Sequence, residues 1–91
     1  MITLWIDVTA EHIHDGTPMS ATDDPIALAV RGVVGPGPSI FVEDTGMRII
    51  EIDGDAVHGE LPRSAREFIE AYDNGHTVRP FGFTIDLIEE A

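Results

Sequence analysis

Apolar and polar residues alternate from position 2 to position 8: Ile2, Leu4, Ile6 and Val8 fall on one side, and Thr3, Trp5 and Asp7 on the other. Side chains on a strand point to opposite faces in turn, so this period of two predicts a first strand with one buried face. The same alternation returns late in the chain. Phe81, Phe83, Ile85 and Leu87 interleave with Gly82, Thr84 and Asp86, predicting a second long strand in the middle of the sheet.

Between these strands the spacing changes. TAEHIHDG opens with Thr9, a capping residue type, and closes on Asp15-Gly16, which predicts one or two helical turns before the polar loop GTPMSATDD. Asp24-Pro25 then marks a helix start. The Asp side chain can accept from orphan amides, and proline at the first helical position gives up no needed donor. The segment that follows, IALAVRGVV, is apolar nearly all round, as in a buried helix, and Gly35-Pro36-Gly37-Pro38 ends it.

Two strand-like runs come next, SIFVE and MRIIEI, separated by Asp44-Thr45-Gly46; Asp53-Gly54 is a second turn leading into DAVHGEL. Together they predict a three-stranded meander. After Pro62, Ser64 and Glu67 read as an S-x-x-E capping box. Ala65, Phe68, Ile69 and Tyr72 share one helical face before Asn74-Gly75 closes the helix. The predicted architecture is one α+β domain over 1–91, a mostly antiparallel sheet of four to five strands with two main helices on one face.

Composition narrows the functional classes. Asp and Glu number 17 against 5 Lys plus Arg, all of them arginine, giving a formal net charge of −12. Binding to phosphate backbones or anionic membranes calls for surplus cations, so neither nucleic acid nor a membrane is an expected partner. No cysteine is present, which removes thiolate chemistry, disulfides and cysteine zinc sites. MITLWIDV has neither the basic start nor the long apolar run of a signal peptide or membrane span, so a cytoplasmic location is expected.

Residues 8–30, VTAEHIHDGTPMSATDDPIALAV, and residues 61–87, LPRSAREFIEAYDNGHTVRPFGFTIDL, carry blocks in a telling order. The first contains E-H-I-x-x-G and P-I-A-L-A; the second reads L-P-x-x-A-x-x-F-I-x-x-Y-D-x-G-x-x-V-x-P-F-x-F. In these blocks the chain resembles a family of small uncharacterised proteins from actinobacterial bacteriophages. The resemblance implies an origin, a phage accessory protein in the cytoplasm of a bacterial host, and no particular activity. Many members of that family carry Cys-x-x-Cys-Pro before the first main helix, where this chain has Ala21-Thr22-Asp23-Asp24-Pro25. Any function shared with them therefore does not need that pair.

Several residues invite chemistry. Asp44-Thr45-Gly46 is the tripeptide of aspartic proteases, in which two aspartates share a proton across a dimer. Glu43 adds charge directly before it, no supporting apolar-apolar-Gly segment follows, and Asp, Thr and Gly are ordinary turn residues, so the turn reading is preferred. His12-Ile13-His14 suits a metal pair only on a strand. On a helical turn the two rings diverge by about 200°, and a capping or loop-anchoring bond is the expected role of His12. His58 and His76 stand without a neighbouring nucleophile, and His76 suits a carbonyl-rich helix end. Arg63 and Arg66 at a helix start mark either a spot for an acidic group or two exposed cations offset by Glu67 and Glu70. Trp5, on the polar side of the first strand, is a candidate anchor for a partner if the outer sheet face is open there, beside Phe41 or another aromatic; shielding by a loop is the competing expectation.

These observations leave two classes in play. One is a non-enzymatic protein that binds a host or phage protein through Trp5, Phe41, Arg63 or Arg66, as a monomer or small homo-oligomer without cofactors. The other is an acidic nucleic-acid mimic, which needs its carboxylates in one phosphate-like row. A dimeric aspartic protease through Asp44 is the remote alternative.

Overall fold

A computed structural model describes residues 1–90. The two alternating segments become β1 (Ile2–Val8) and β5 (Phe81–Glu89), paired antiparallel from Ile2 with Leu87 to Val8 with Phe81. The predicted meander is β2 (Ser39–Val42), β3 (Gly46–Ile50) and β4 (Ala56–Glu60), all antiparallel. A short ladder, Val57 with Glu89 and His58 with Ile88, joins it to β5. The result is one five-stranded curled sheet in the order β1-β5-β4-β3-β2, with β5 in the interior as expected. Where β4 crosses β5 the backbones approach closely. A Cβ on Gly59 would collide with the Asp86 carbonyl, so only glycine fits there.

The helices α1 (Ala10–Asp15), α2 (Pro25–Val34) and α3 (Arg63–Asp73) pack on one face. Into the space between them and the sheet go Ile6, Ile26, Ile40, Ile85 and Leu87, each essentially inaccessible. A fully buried side chain of this size contributes roughly 1.5–3 kcal/mol, so these five anchor the core. From α3, Phe68 stacks on Phe81 of β5 at 4.7 Å between ring centroids and on Tyr72 at 5.9 Å, tying helix to sheet.

Local signals explain the helix ends. Thr9 accepts from the His12 amide (3.3 Å), while the Thr9 amide donates to His12 Nδ1 (3.0 Å), closing a reciprocal capping box. Asp24 accepts from the Ala27 amide at 2.6 Å, with Pro25 next to it, as its position predicts. Gly35 (φ 90°) ends α2, and Gly75 (φ 78°) ends α3 in a Schellman pattern: His76 donates to the Ala71 carbonyl and Gly75 to that of Tyr72.

Four expectations need correction. Ser64 and Glu67 form no capping box. Leu61, buried and bonded through its amide to the Thr45 carbonyl, fixes the entry of the chain, and Pro62 becomes the cap, with its carbonyl already accepting from Ala65 and Arg66. Ser64 therefore lies inside the first turn, and Glu67 instead receives Arg63 Nε at 3.0 Å. The strand predicted through Ile52 stops at Ile50, because Glu51 and Asp55 close a tight turn over Gly54 (φ 97°), leaving Ile52 84% exposed. Glu43 likewise lies outside β2, and Gly46 opens β3 rather than belonging to the turn. Finally, α2 is buried on one side rather than all round, since Gly32 and Val33 face outward.

Candidate functional site

Because the three helices of the described residues occupy one face, no helix among them covers the opposite face of the sheet. Parity and register determine what it presents. Phe41, Arg48, His58 and Ile88 form a row across β2, β3, β4 and β5, while Trp5, Thr3 and Asp7 line β1 opposite Thr84, Asp86 and Gly82.

Trp5 is the largest apolar side chain on this face and is 59% exposed, so no loop shields it. Its indole leans diagonally across the pair to lie over Gly82; a Cβ there would collide with Cζ2 and stand 2.6 Å from Cη2. The ring thus covers bare glycine backbone with one side and leaves the other to solvent. Thr3 Oγ1 donates to Asp86 Oδ1 at 2.6 Å next to it.

Phe41 shares the face with Trp5 but not its neighbourhood. The two stand on opposite edge strands, four interstrand spacings apart, roughly 19 Å, so they do not form one aromatic anchor. Phe41 sits half-buried beside Arg48. The Arg48 guanidinium grips Glu90 through Nε at 2.8 Å and Nη2 at 2.9 Å, and His58 Nδ1 lies 3.6 Å from the same carboxylate. Hydrogen bonding to Arg48 holds the Glu90 carboxyl below the ordinary range, and the same bond raises the guanidinium further. This cluster fastens the end of β5 across β4 and β3. Nothing in the sequence spacing announces it, since its members are brought together only by strand order.

Arg63 and Arg66 lie elsewhere, on a shallow open groove of about 710 Å³ between α3 and the β2–β3 turn. Asp44 and Thr45 form its other wall. Asp44 is exposed in that turn, which the Glu43 amide closes on the Gly46 carbonyl at 2.8 Å. Arg63 is held by Glu67, while Arg66 makes no ion pair among the described residues. The site candidates therefore divide between two regions: Trp5 and Phe41 on the outer sheet, Arg63 and Arg66 beside α3.

A hollow adjoining the groove holds Asp24, the one buried acid among the described residues, only 4% exposed. Burial pushes its carboxyl up to about 6, and Asp73 adds to the rise, while the bond from Ala27 opposes it. Asp73 in turn accepts from the Met19 amide at 2.8 Å, pinning the α1–α2 loop at a residue with φ 60°. Tyr72 donates to the Ile13 carbonyl at 3.2 Å; burial, then the charges of Asp24 and Asp73, raise its hydroxyl.

Of the histidine pair, His12 is committed to the α1 cap and His14 lies 3.0 Å from Asp15 on the surface. Among the described residues no group of three or more His, Asp or Glu side chains is placed to hold a metal ion. No helix among them is long and apolar enough to cross a membrane.

What fold and site define is an α+β domain with a one-sided sheet bearing a single exposed tryptophan. Comparisons with models of known protein families, with curated proteins and with solved structures found no match.

Proposed function

We propose that this chain is a small phage-type accessory protein without enzymatic activity, which acts by binding a host or phage protein through the outer face of its sheet. The observation that carries the reading is Trp5, more than half exposed on a sheet face that no helix covers. Tryptophan is enriched among the residues that dominate binding energy, because it removes much apolar area from water at little entropic cost. The histidines add no support for a hydrolytic site. His12 is bonded within a helix cap, and among the described residues no serine or threonine hydroxyl is hydrogen-bonded to a histidine ring.

Nucleic-acid mimicry has less support. Five of the 17 acids are committed locally: Asp24 caps α2, Asp53 accepts from the Asp55 amide, Asp73 holds Met19, and Glu67 and Glu90 pair with arginines. These sit in turns, caps and opposite ends of the sheet, and do not form one row.

The test is capture from host lysate with the wild-type chain, Trp5→Ala and, as a control far from that face, Met19→Ala. A protein retained by wild type and Met19→Ala but lost with Trp5→Ala supports the reading. Failure of wild type to retain any protein at high bait concentration, or capture indifferent to Trp5, overturns it.

A further inference from the structure

Resting on the reading that the Trp5 face binds a protein, we infer that its occupant is a cationic segment, with an arginine or lysine side chain stacked on the open side of the Trp5 indole, on a face that also carries Asp7 and Asp86.

The surroundings of the ring are set by strand pairing. Gly82 lies beneath it and Asp7 stands opposite Gly82, while Asp86 lies on the other side of Trp5, opposite Thr3 and four positions along β5 from Gly82, roughly 13 Å. Both carboxylates face outward on the same side as the indole. Among the described residues no arginine lies within ion-pair distance of either. One oxygen of Asp86 accepts from Thr3, which leaves the other available.

An aromatic face attracts cations through its quadrupole, and indole does so best among the side chains. Asp7, next to the ring, reinforces that preference, and Asp86 adds negative charge farther along the same face. The whole-chain charge of −12 draws a basic partner toward the surface from a distance. Access is open as well. β1 is an edge strand, so an extended segment can run alongside it and carry alternate side chains onto the outer face at the level of Trp5.

Trp5 is the chain's single tryptophan, so its fluorescence reports the site directly. The experiment titrates the full chain with a capped octapeptide of alternating arginine and threonine, and with a neutral peptide in which glutamine replaces arginine. The expected result is a saturable change in Trp5 emission with the arginine peptide. Affinity should be at least tenfold weaker with the glutamine peptide or in the Asp7→Asn/Asp86→Asn double variant, and within twofold of wild type in Glu51→Gln/Asp53→Asn, which removes the same charge from a distant turn.

Equal weakening in both double variants would reduce the effect to bulk charge attraction and overturn the inference, as would equal binding of the glutamine peptide. Circular dichroism of the double variants checks that the fold persists, as expected for exposed positions. The two readings fail separately. If the arginine peptide does not bind while a lysate protein is still lost with Trp5→Ala, the cationic occupant is wrong and the protein-binding face stands. If the peptide binds at Trp5 but no lysate protein depends on that residue, the cationic site stands and the proposed function falls.

Discussion

Replacing Asp24 with asparagine tests the electrostatics of the buried cap. The Asp24 carboxylate is almost wholly removed from water, has no cation beside it and lies near Asp73, so its proton leaves at about 6 rather than at 3.8. A carboxyl raised on folding contributes stability that is fully present below the ordinary value and is lost as pH rises through the folded value. The window is therefore pH 4 to 6, with stability falling as pH increases. A shift of about two units corresponds to about 3 kcal/mol between the extremes, and about 2 kcal/mol of it falls between pH 4 and pH 7.5. Asparagine caps a helix as well as aspartate does and carries no charge to desolvate. Asp24→Asn is thus expected to be more stable than wild type by about 2 kcal/mol at pH 7.5, a rise in Tm of roughly 10 °C for a domain this small. The advantage should shrink to a few tenths of a kcal/mol at pH 4. Urea unfolding followed by far-UV circular dichroism at pH 4, 5, 6 and 7.5 measures both proteins, and repulsion among the other acids cancels in the difference. Parallel stability profiles for the two proteins across that range would refute the reasoning.

Met19, mostly exposed at φ 60°, holds a backbone conformation that glycine adopts without strain. Met19→Gly should raise stability by about 0.5–1 kcal/mol in the same urea assay; a loss would mean that the side chain contributes packing the geometry does not show. Gly82→Ala places a methyl group where the Trp5 indole lies, so the ring must swing outward. Trp5 emission should shift to the red and become easier to quench with iodide, while stability changes by under about 1.5 kcal/mol, because the clash is with a movable side chain. Unchanged emission would show that the ring does not rest on Gly82.

Much of the architecture was legible because the relevant signals are local. Alternation in β1 and β5, the Asp24-Pro25 start and the glycine stops act within a few residues, and each holds in the fold. The S-x-x-E motif failed for an equally local reason that a pattern cannot weigh: Leu61 is pinned by Thr45, so the helix begins before Ser64 arrives. Periodicity states which residues face inward, but not which strand lies alongside which. The separation of Trp5 from Phe41, the glycine beneath the indole and the Arg48–Glu90–His58 cluster all follow from strand order. Trp5 itself was readable as exposed because it occupies the polar side of its strand.

The pairing of β1 with β5 also bears on how the chain reaches this fold. Thr3 and Asp86, hydrogen-bonded neighbours, are 83 positions apart in sequence. β1 therefore finds its sheet partner only across a long loop, whose closure costs entropy before any contact offsets it. The meander of β2, β3 and β4, whose strands are neighbours in sequence, can assemble first and offer β5 a short ladder to grow on. β1 is the edge strand whose only pairing spans that distance, so the segment bearing the exposed tryptophan is also the one held in the sheet by the contact most remote in sequence.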